Sequence, residues 1–191
     1  MNNKFCNIPS LFHLKIDVMP TYTFESYIRD IPDFPKKGII FKDITPLLQN
    51  AEAMRQASEA LLSMLPSTDI HKVVGIESRG FIFGVLLAQQ LSAGFVPIRK
   101  PGKLPAKKIS EGYALEYGTD TLEIHEHAIQ PGDHVLIHDD LLATGGTAEA
   151  SCKLVEKLGG KIIQLSFLIE LSFLKGKEQL SEYEVRTLLA Y

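Results

Sequence analysis

Hydrophobic and polar positions along the chain follow two periods. Short apolar runs with β-branched members at 72–76, 95–98, 135–138 and 161–171 read as buried parallel strands, and 121–124 as a further strand. Between them lie segments with helical spacing. One runs over 51–65, capped by Asn50 and striped by Met54, Ala57, Leu61 and Leu65; the apolar stretch 81–91 and the segment 148–158, stopped by Gly159 and Gly160, are two more. A helix is also expected at 23–31, where Phe24, Tyr27, Ile28 and Ile31 recur behind Thr23 as N-cap. Two prolines and a glycine make 31–38 irregular. The span 101–119 shows neither period and is expected to be a long loop acting as a lid. Pro131-Gly132-Asp133 forms a turn, 175–180 a short helix or turn, and 184–191 a last strand. Strands alternating with helices predict an α/β protein with a parallel-centred sheet flanked by helices.

Composition narrows the function more than the fold. At 191 residues the chain suits one domain with a substantial core, and 45% apolar with 23% charged residues is ordinary for a globular protein. A net charge of −3 gives nucleic acid no general attraction, so any anionic ligand must be met by locally grouped cations. Two cysteines, Cys6 and Cys152, cannot build a disulfide framework, and a reducing, cytoplasmic setting fits; Cys152 is read as a packing residue. No run approaches membrane-spanning length. Lys4, His13, Lys15 and Asp17 interrupt the mildly apolar first twenty residues, so 1–20 is read as an extension of unassigned role rather than a signal peptide.

The chemistry gathers in 135–147. The apolar run there ends on Asp139-Asp140, and the turn Ala143-Thr144-Gly145-Gly146-Thr147 leads into the helix. Glycines let backbone N–H groups converge on an anion, and the helix start adds partial positive charge, so this turn can cradle a phosphate. Two carboxylates beside it are unsuited to phosphate but well suited to vicinal hydroxyls. Taken singly, such aspartates cap turns; together the pieces point to a ribose 5′-phosphate. Arg79-Gly80 ends another strand, where α/β sheets bind ligands, although a lone arginine there is commonly a surface ion pair. Arg99, Lys100, Lys103, Lys107 and Lys108 fall within ten residues, a cluster that is usually a solvated loop. On residues alone, 39–46 is a short strand or extended loop with Phe41 in the core. His125 and His127 lack companions for a metal set and read as surface residues.

The block Asp139-Asp140-Leu-Leu-Ala143-Thr144-Gly145-Gly146-Thr147 resembles the phosphoribosyl pyrophosphate (PRPP) motif of the type I phosphoribosyltransferases. It is most similar in wording to the branch of that family that uses adenine. The resemblance runs from about Ile31 onward, includes the Ser78-Arg79-Gly80-Phe81 loop and the Ala114-Leu115-Glu116-Tyr117-Gly118 lid sequence, and implies the type I fold over 21–191. It also implies a small hood from about 31–46, to which 184–191 belongs unless that strand is a sheet edge.

The activity so implied is purine salvage by a pentosyltransferase: adenine plus PRPP giving AMP and pyrophosphate, with Mg²⁺ carried in by PRPP rather than held by a carboxylate cage. Asp139 and Asp140 would hold the ribose hydroxyls, Ala143–Thr147 the 5′-phosphate, and Arg79, Arg99, Lys100 and Lys103 the departing pyrophosphate, with Arg79 and Lys103 counted as catalytic. Phe41 would stack on the base while backbone near Ile40 and Lys42 reads its edge; relatives carry arginine where this chain has Lys42. Relatives that use 6-oxopurines have an aspartate at the position of Ala143, which cannot move a proton, so Glu116 is the candidate acid/base group. His138 is a departure, since an apolar residue is expected before the acidic pair; it is read as facing a partner subunit or as partly exposed. A homodimer is the family's habit, with no nucleic acid or membrane partner. The rivals are a non-catalytic PRPP sensor, which lacks a basic DNA-binding segment here, and an enzyme for another purine.

Overall fold

The computed structural model describes residues 24–114 and 118–191. A short 3₁₀ turn, Phe24–Tyr27, leads into strand β1 (Arg29–Pro32), which pairs antiparallel with β2 (Ile40–Asp43) in a two-stranded ribbon. The helix expected over 23–31 is therefore not formed in its described part. Pairing with a distant strand outweighs local spacing here, and Arg29, whose guanidinium lies 2.6 Å from Asp43, fastens the two strands. Thr23, its expected cap, lies outside the described residues.

Two helices follow, α1 (Thr45–Gln49) and α2 (Ala51–Ser63), and the Asn50 side chain accepts the Ala53 N–H at 2.9 Å as the sequence anticipates. The chain then runs β3 (Lys72–Ile76), α3 (Gly80–Gln90), β4 (Gly94–Ile98), β5 (Lys108–Ala114), β6 (Thr119–His125), β7 (His134–Leu142), α4 (Gly146–Lys157), β8 (Lys161–Glu170), α5 (Gly176–Gln179) and β9 (Val185–Ala190). Five of these strands form one parallel sheet in the order β4-β3-β7-β8-β9. Segment 184–191 thus takes the sheet-edge alternative.

Each face of the sheet has its own core. Val73, Leu136 and Ile169 pack under α2 and α3 with Leu61, Phe83 and Leu87, while Val74, Ile137 and Phe167 pack under α4 with Leu154 and Val155. Burial on both faces explains why these strands read as continuous apolar runs.

The lid expectation needs correction. Residues 108–114 are not structureless but pair antiparallel with β6 in full register, from Lys108 opposite His125 to Ala114 opposite Thr119. Arg99 and Glu123 add one more bridge between the cationic loop and β6. Among the described residues of the expected loop, 101–107 and Gly118 remain irregular.

Candidate active site

Chain order reverses between β3 and β7, and open α/β sheets bind ligands at the carboxyl ends of strands beside such a reversal. Both charged turns emerge there. A cavity of ≈ 480 Å³ lies between them, lined by Glu77, Arg79, Asp139, Asp140 and Thr147, with Phe41 from the ribbon and Tyr113 from β5 at its walls.

β7 runs two residues beyond the acidic pair, with Leu141 and Leu142 still registered on β8, so both aspartates stand on rigid backbone rather than in a loop. Alternation along the strand sends them to opposite faces. Asp139 accepts the Asp140 N–H at 2.9 Å. Burial, and then the charge of Asp140, push the Asp139 carboxyl well above the usual carboxylate range. Asp140 is 4% exposed, and its Oδ2 lies 2.8 Å from Arg79 Nε in an ion pair that is close without being well aligned as a hydrogen bond. Burial raises its carboxyl too, and Arg79 opposes that. Space is tight at the junction: a Cβ at Gly80, where α3 begins, would sit 2.6 Å from Asp139 Oδ1.

The expected cradle is built as a helix start. Gly145 sits at φ +93, and a Cβ there would also meet the Gly176 carbonyl at 2.7 Å, so both conformation and space exclude a side chain. α4 starts at Gly146, two residues earlier than its apolar pattern implies, and no side chain caps it. Its first N–H groups therefore remain available to an anion in the ≈ 70 Å³ hollow lined by Ala143, Thr144, Gly145 and Thr147.

The cations divide. Arg79 and Lys100 line the cavity; Arg79 pairs with Asp140 and its guanidinium lies 4.8 Å from the Phe41 ring centre. Lys100 reaches Asp120 at 3.2 Å, which raises its pKa. Arg99 is turned to Glu77, with contacts of 3.2 and 3.3 Å, and to the Lys103 carbonyl. Lys103 is exposed, yet near enough for its charge to act on Glu77. Lys108 is tied to Glu123 at 3.0 Å and Lys107 faces Glu126 at 3.9 Å, so these two belong to the loop's own support.

Phe41 is half-buried at the cavity wall, not in the core, while Ile40 and Lys42 face an adjoining hollow of ≈ 600 Å³ with Thr144, Leu171 and Phe173. Glu116 lies outside the described residues.

Sequence reading missed Glu77, Tyr113 and Asp120. Glu77 accepts the Lys100 N–H at 2.9 Å and pairs with Arg99; burial opposes ionisation, but these partners hold its carboxyl below the ordinary value. The Tyr113 hydroxyl donates to Asp120 at 3.2 Å and also faces Thr147 of the cradle. Tyr113 left little signal in the sequence, since Glu111 interrupts any alternation between Ile109 and Tyr113.

His138 faces neither solvent nor a partner. It is fully buried under Phe83 with Nδ1 2.9 Å from Ser166 Oγ, and burial depresses its pKa to about 3. A base whose folded pKa lies below its unfolded value contributes stability above the unfolded pKa, near 6.5, and loses it as pH falls toward 3. Each unit in that window should cost up to ~1.4 kcal/mol. The double variant His138→Leu/Ser166→Ala, which removes both partners, should melt with a flatter pH dependence between neutrality and acid than the parent; an equal slope would refute the assignment.

The cradle, the paired carboxylates and the sheet that presents them match a known family. The phosphoribosyl transferase domain model aligns with residues 45–188. The adenine phosphoribosyltransferase of Christiangramia forsetii is 60% identical over 167 residues, 87% of this chain and 98% of that one. The crystal structure of adenine phosphoribosyltransferase from Rhodothermus marinus superposes with a TM-score of 0.85 at 56% identity, covering 88% of this chain and 97% of its own. That from Saccharomyces cerevisiae, complexed with D-2,5-dideoxy-2,5-imino-altritol 1,6-bisphosphate and adenine, gives 0.82 at 42% identity, covering 87% and 96%. Fold and site thus define a type I phosphoribosyltransferase. Within that family the chain belongs to the adenine phosphoribosyltransferases.

Proposed function

We propose that the protein transfers the 5-phosphoribosyl group of PRPP to adenine, releasing AMP and pyrophosphate in purine salvage. The observation that carries this reading is the pair Asp139–Asp140, the first half-buried and the second buried, both raised in pKa, set before an uncapped helix start at the edge of one cavity. Carboxylates held where their charge is poorly solvated gain most from hydroxyl donors and from a cationic sugar ring.

In this reading the cradle Ala143–Thr147 takes the 5′-phosphate, a non-reacting handle whose binding energy places the anomeric carbon. Asp139 and Asp140 receive the ribose hydroxyls. Attack at the anomeric carbon builds oxocarbenium character while negative charge grows on the pyrophosphate, which Arg79, Arg99, Lys100 and Lys103 stabilise. Arg79 and Arg99 each begin on a carboxylate, Asp140 and Glu77, so a diphosphate exchanges one charge-assisted partner for another. The raised carboxylates Asp139 and Asp140 suit a nearby cation, so Mg²⁺ carried in by PRPP would be supported there and would supply neutralising charge. The His/Asp group with donor atoms close enough for a metal, Asp69, His71 and His134, stands at the opposite end of β3 and β7 and has no part in this.

The ribbon β1–β2 serves as the hood, Phe41 stacking on adenine and the Ile40 and Lys42 backbone reading it. Glu116 exchanges the proton. A homodimer is supported by α3, apolar from Gly80 to Ala88, which leaves Ile82 38% and Val85 49% exposed. A cytoplasmic setting is supported by the free buried Cys152; among the described residues no helix is long and apolar enough to cross a membrane.

Nucleotide formation from PRPP and Mg²⁺ should be measured with adenine, hypoxanthine, guanine and xanthine in parallel. Turnover with adenine alone is expected. Turnover with an oxopurine would overturn the base assignment, and PRPP binding without any turnover would overturn the enzyme assignment in favour of a sensor.

A further inference from the structure

Phe41 and Lys42 are consecutive on β2 and project to opposite faces of the ribbon. Each is met from the body of the protein by a partner of opposite kind. Below one face the Arg79 guanidinium lies 4.8 Å from the Phe41 ring centre; on the other the Lys42 ammonium lies 3.6 Å from the centre of the Tyr191 ring. Lys42 Nζ is also 2.7 Å from Asp30, its register partner across the ribbon, and its side chain is only 11% exposed. With a carboxylate and an aromatic face already engaged, this ammonium acts as a tether, and only the Lys42 backbone is left to face the base.

Tyr191 is itself firmly placed. Its N–H donates to the Glu170 carbonyl at 2.9 Å, and its carbonyl accepts the Ser172 N–H at 2.8 Å. These bonds bracket Leu171, which lines the same ≈ 600 Å³ hollow as Ile40, Lys42 and Tyr191. One residue thus fixes the far wall of that hollow and, through Lys42, the strand opposite.

We infer that Tyr191 is a positioning residue for base recognition: its ring, with Asp30, holds the Lys42 ammonium and so sets the strand whose backbone reads the purine. This rests on the proposed base site. Its signature is selective, because Tyr191 and Lys42 line neither the cavity beneath Asp139 and Asp140 nor the phosphate hollow, and Thr144 is the cradle residue that borders the hollow they share.

Steady-state kinetics with adenine and PRPP varied independently test it. Tyr191→Ala should raise the adenine KM about two- to thirty-fold, the factor carried by a cation–π contact between exposure and full desolvation, and leave the PRPP KM unmoved. Tyr191→Phe, which keeps the ring, should retain the parental adenine KM. Lys42→Met should raise the adenine KM at least as far as Tyr191→Ala, and the double variant should be no worse than Lys42→Met alone, which already removes the Tyr191 contact together with the Asp30 ion pair. An unchanged adenine KM in Tyr191→Ala, a parallel rise in both KM values, or additive effects would each overturn the inference. If Tyr191→Ala does not fold, Lys42→Met with Tyr191→Phe decides on the same criteria. Phe41→Ala separates the two levels: a raised adenine KM there, without one in Tyr191→Ala, sinks only the tether, whereas no rise in Phe41→Ala sinks the base site itself.

Discussion

Asp139→Asn should make the protein more stable and a much poorer enzyme. The Asp139 carboxyl is raised by burial and by the adjacent Asp140 charge, so its ionised form is held at a cost when no cation or hydroxyl faces it. Asparagine keeps the shape and can still accept the Asp140 N–H while removing that charge. Working the sign through, an acid whose folded pKa exceeds its unfolded value destabilises at pH above the folded pKa, and the penalty disappears as pH falls through it. The variant should therefore melt about 2–4 °C above the parent at neutral pH, the shift that ~1 kcal/mol produces in a chain of this size. That advantage should shrink on acidification. Catalysis moves the other way. Hydrogen bonds to a charged group are worth ~1.5–3 kcal/mol, so losing the carboxylate beneath the ribose should lower kcat/KM for PRPP by about 10–100-fold. Melting curves between pH 5 and 8 and initial rates at saturating adenine decide the matter. A variant that melts with the parent, or that keeps its PRPP kcat/KM, would remove Asp139 from the role assigned to it.

What the sequence disclosed follows from how far each feature reaches along the chain. β3, β7 and β8 are buried on both faces, so a largely apolar run announces them without reference to any partner. The acidic pair and the cradle are contiguous, and their chemistry is complete within 139–147. The hairpin β5–β6 escaped because β5 is half-exposed and carries Lys108, Glu111 and Gly112; only pairing with β6 makes it a strand. The segment 24–32 failed for a related reason, as its partner β2 lies beyond Pro35 and Gly38. His138 was misplaced because what reconciles an imidazole with full burial is Ser166, 28 residues away on β8. The cationic loop was correctly seen as a cluster but not as a sorted one. Glu77, Glu123 and Asp120 assign its members to separate tasks, and these carboxylates sit on the β3 turn and on β6. Sequence reveals a group of charges more readily than the partners that divide it.

The largest single loss of rate should follow Glu116→Ala. Forming a bond from a purine ring nitrogen to the anomeric carbon leaves a surplus proton on the base, and something must take it. Ala143, at the start of the cradle, has no group to do so. The carboxylates described around the cavity are committed: Glu77 to Arg99 and the Lys100 N–H, Asp140 to Arg79, Asp120 to Lys100 and Tyr113, and Asp139 to the ribose in the proposed mechanism. Connectivity limits where else to look. Tyr113 lines the cavity from β5, and Glu116 follows three residues later, within ~10 Å of chain reach. Loss of a general acid/base typically costs about 10²–10⁴-fold, and that loss should appear in kcat with PRPP affinity, measured by direct binding, left as it was. Glu116→Gln should be equally impaired, because the amide keeps the shape but cannot accept the proton. A kcat within threefold of the parent in both variants, about 0.7 kcal/mol or less in barrier, would exclude Glu116 as the proton-transfer group and redirect the search to Tyr113 or to water.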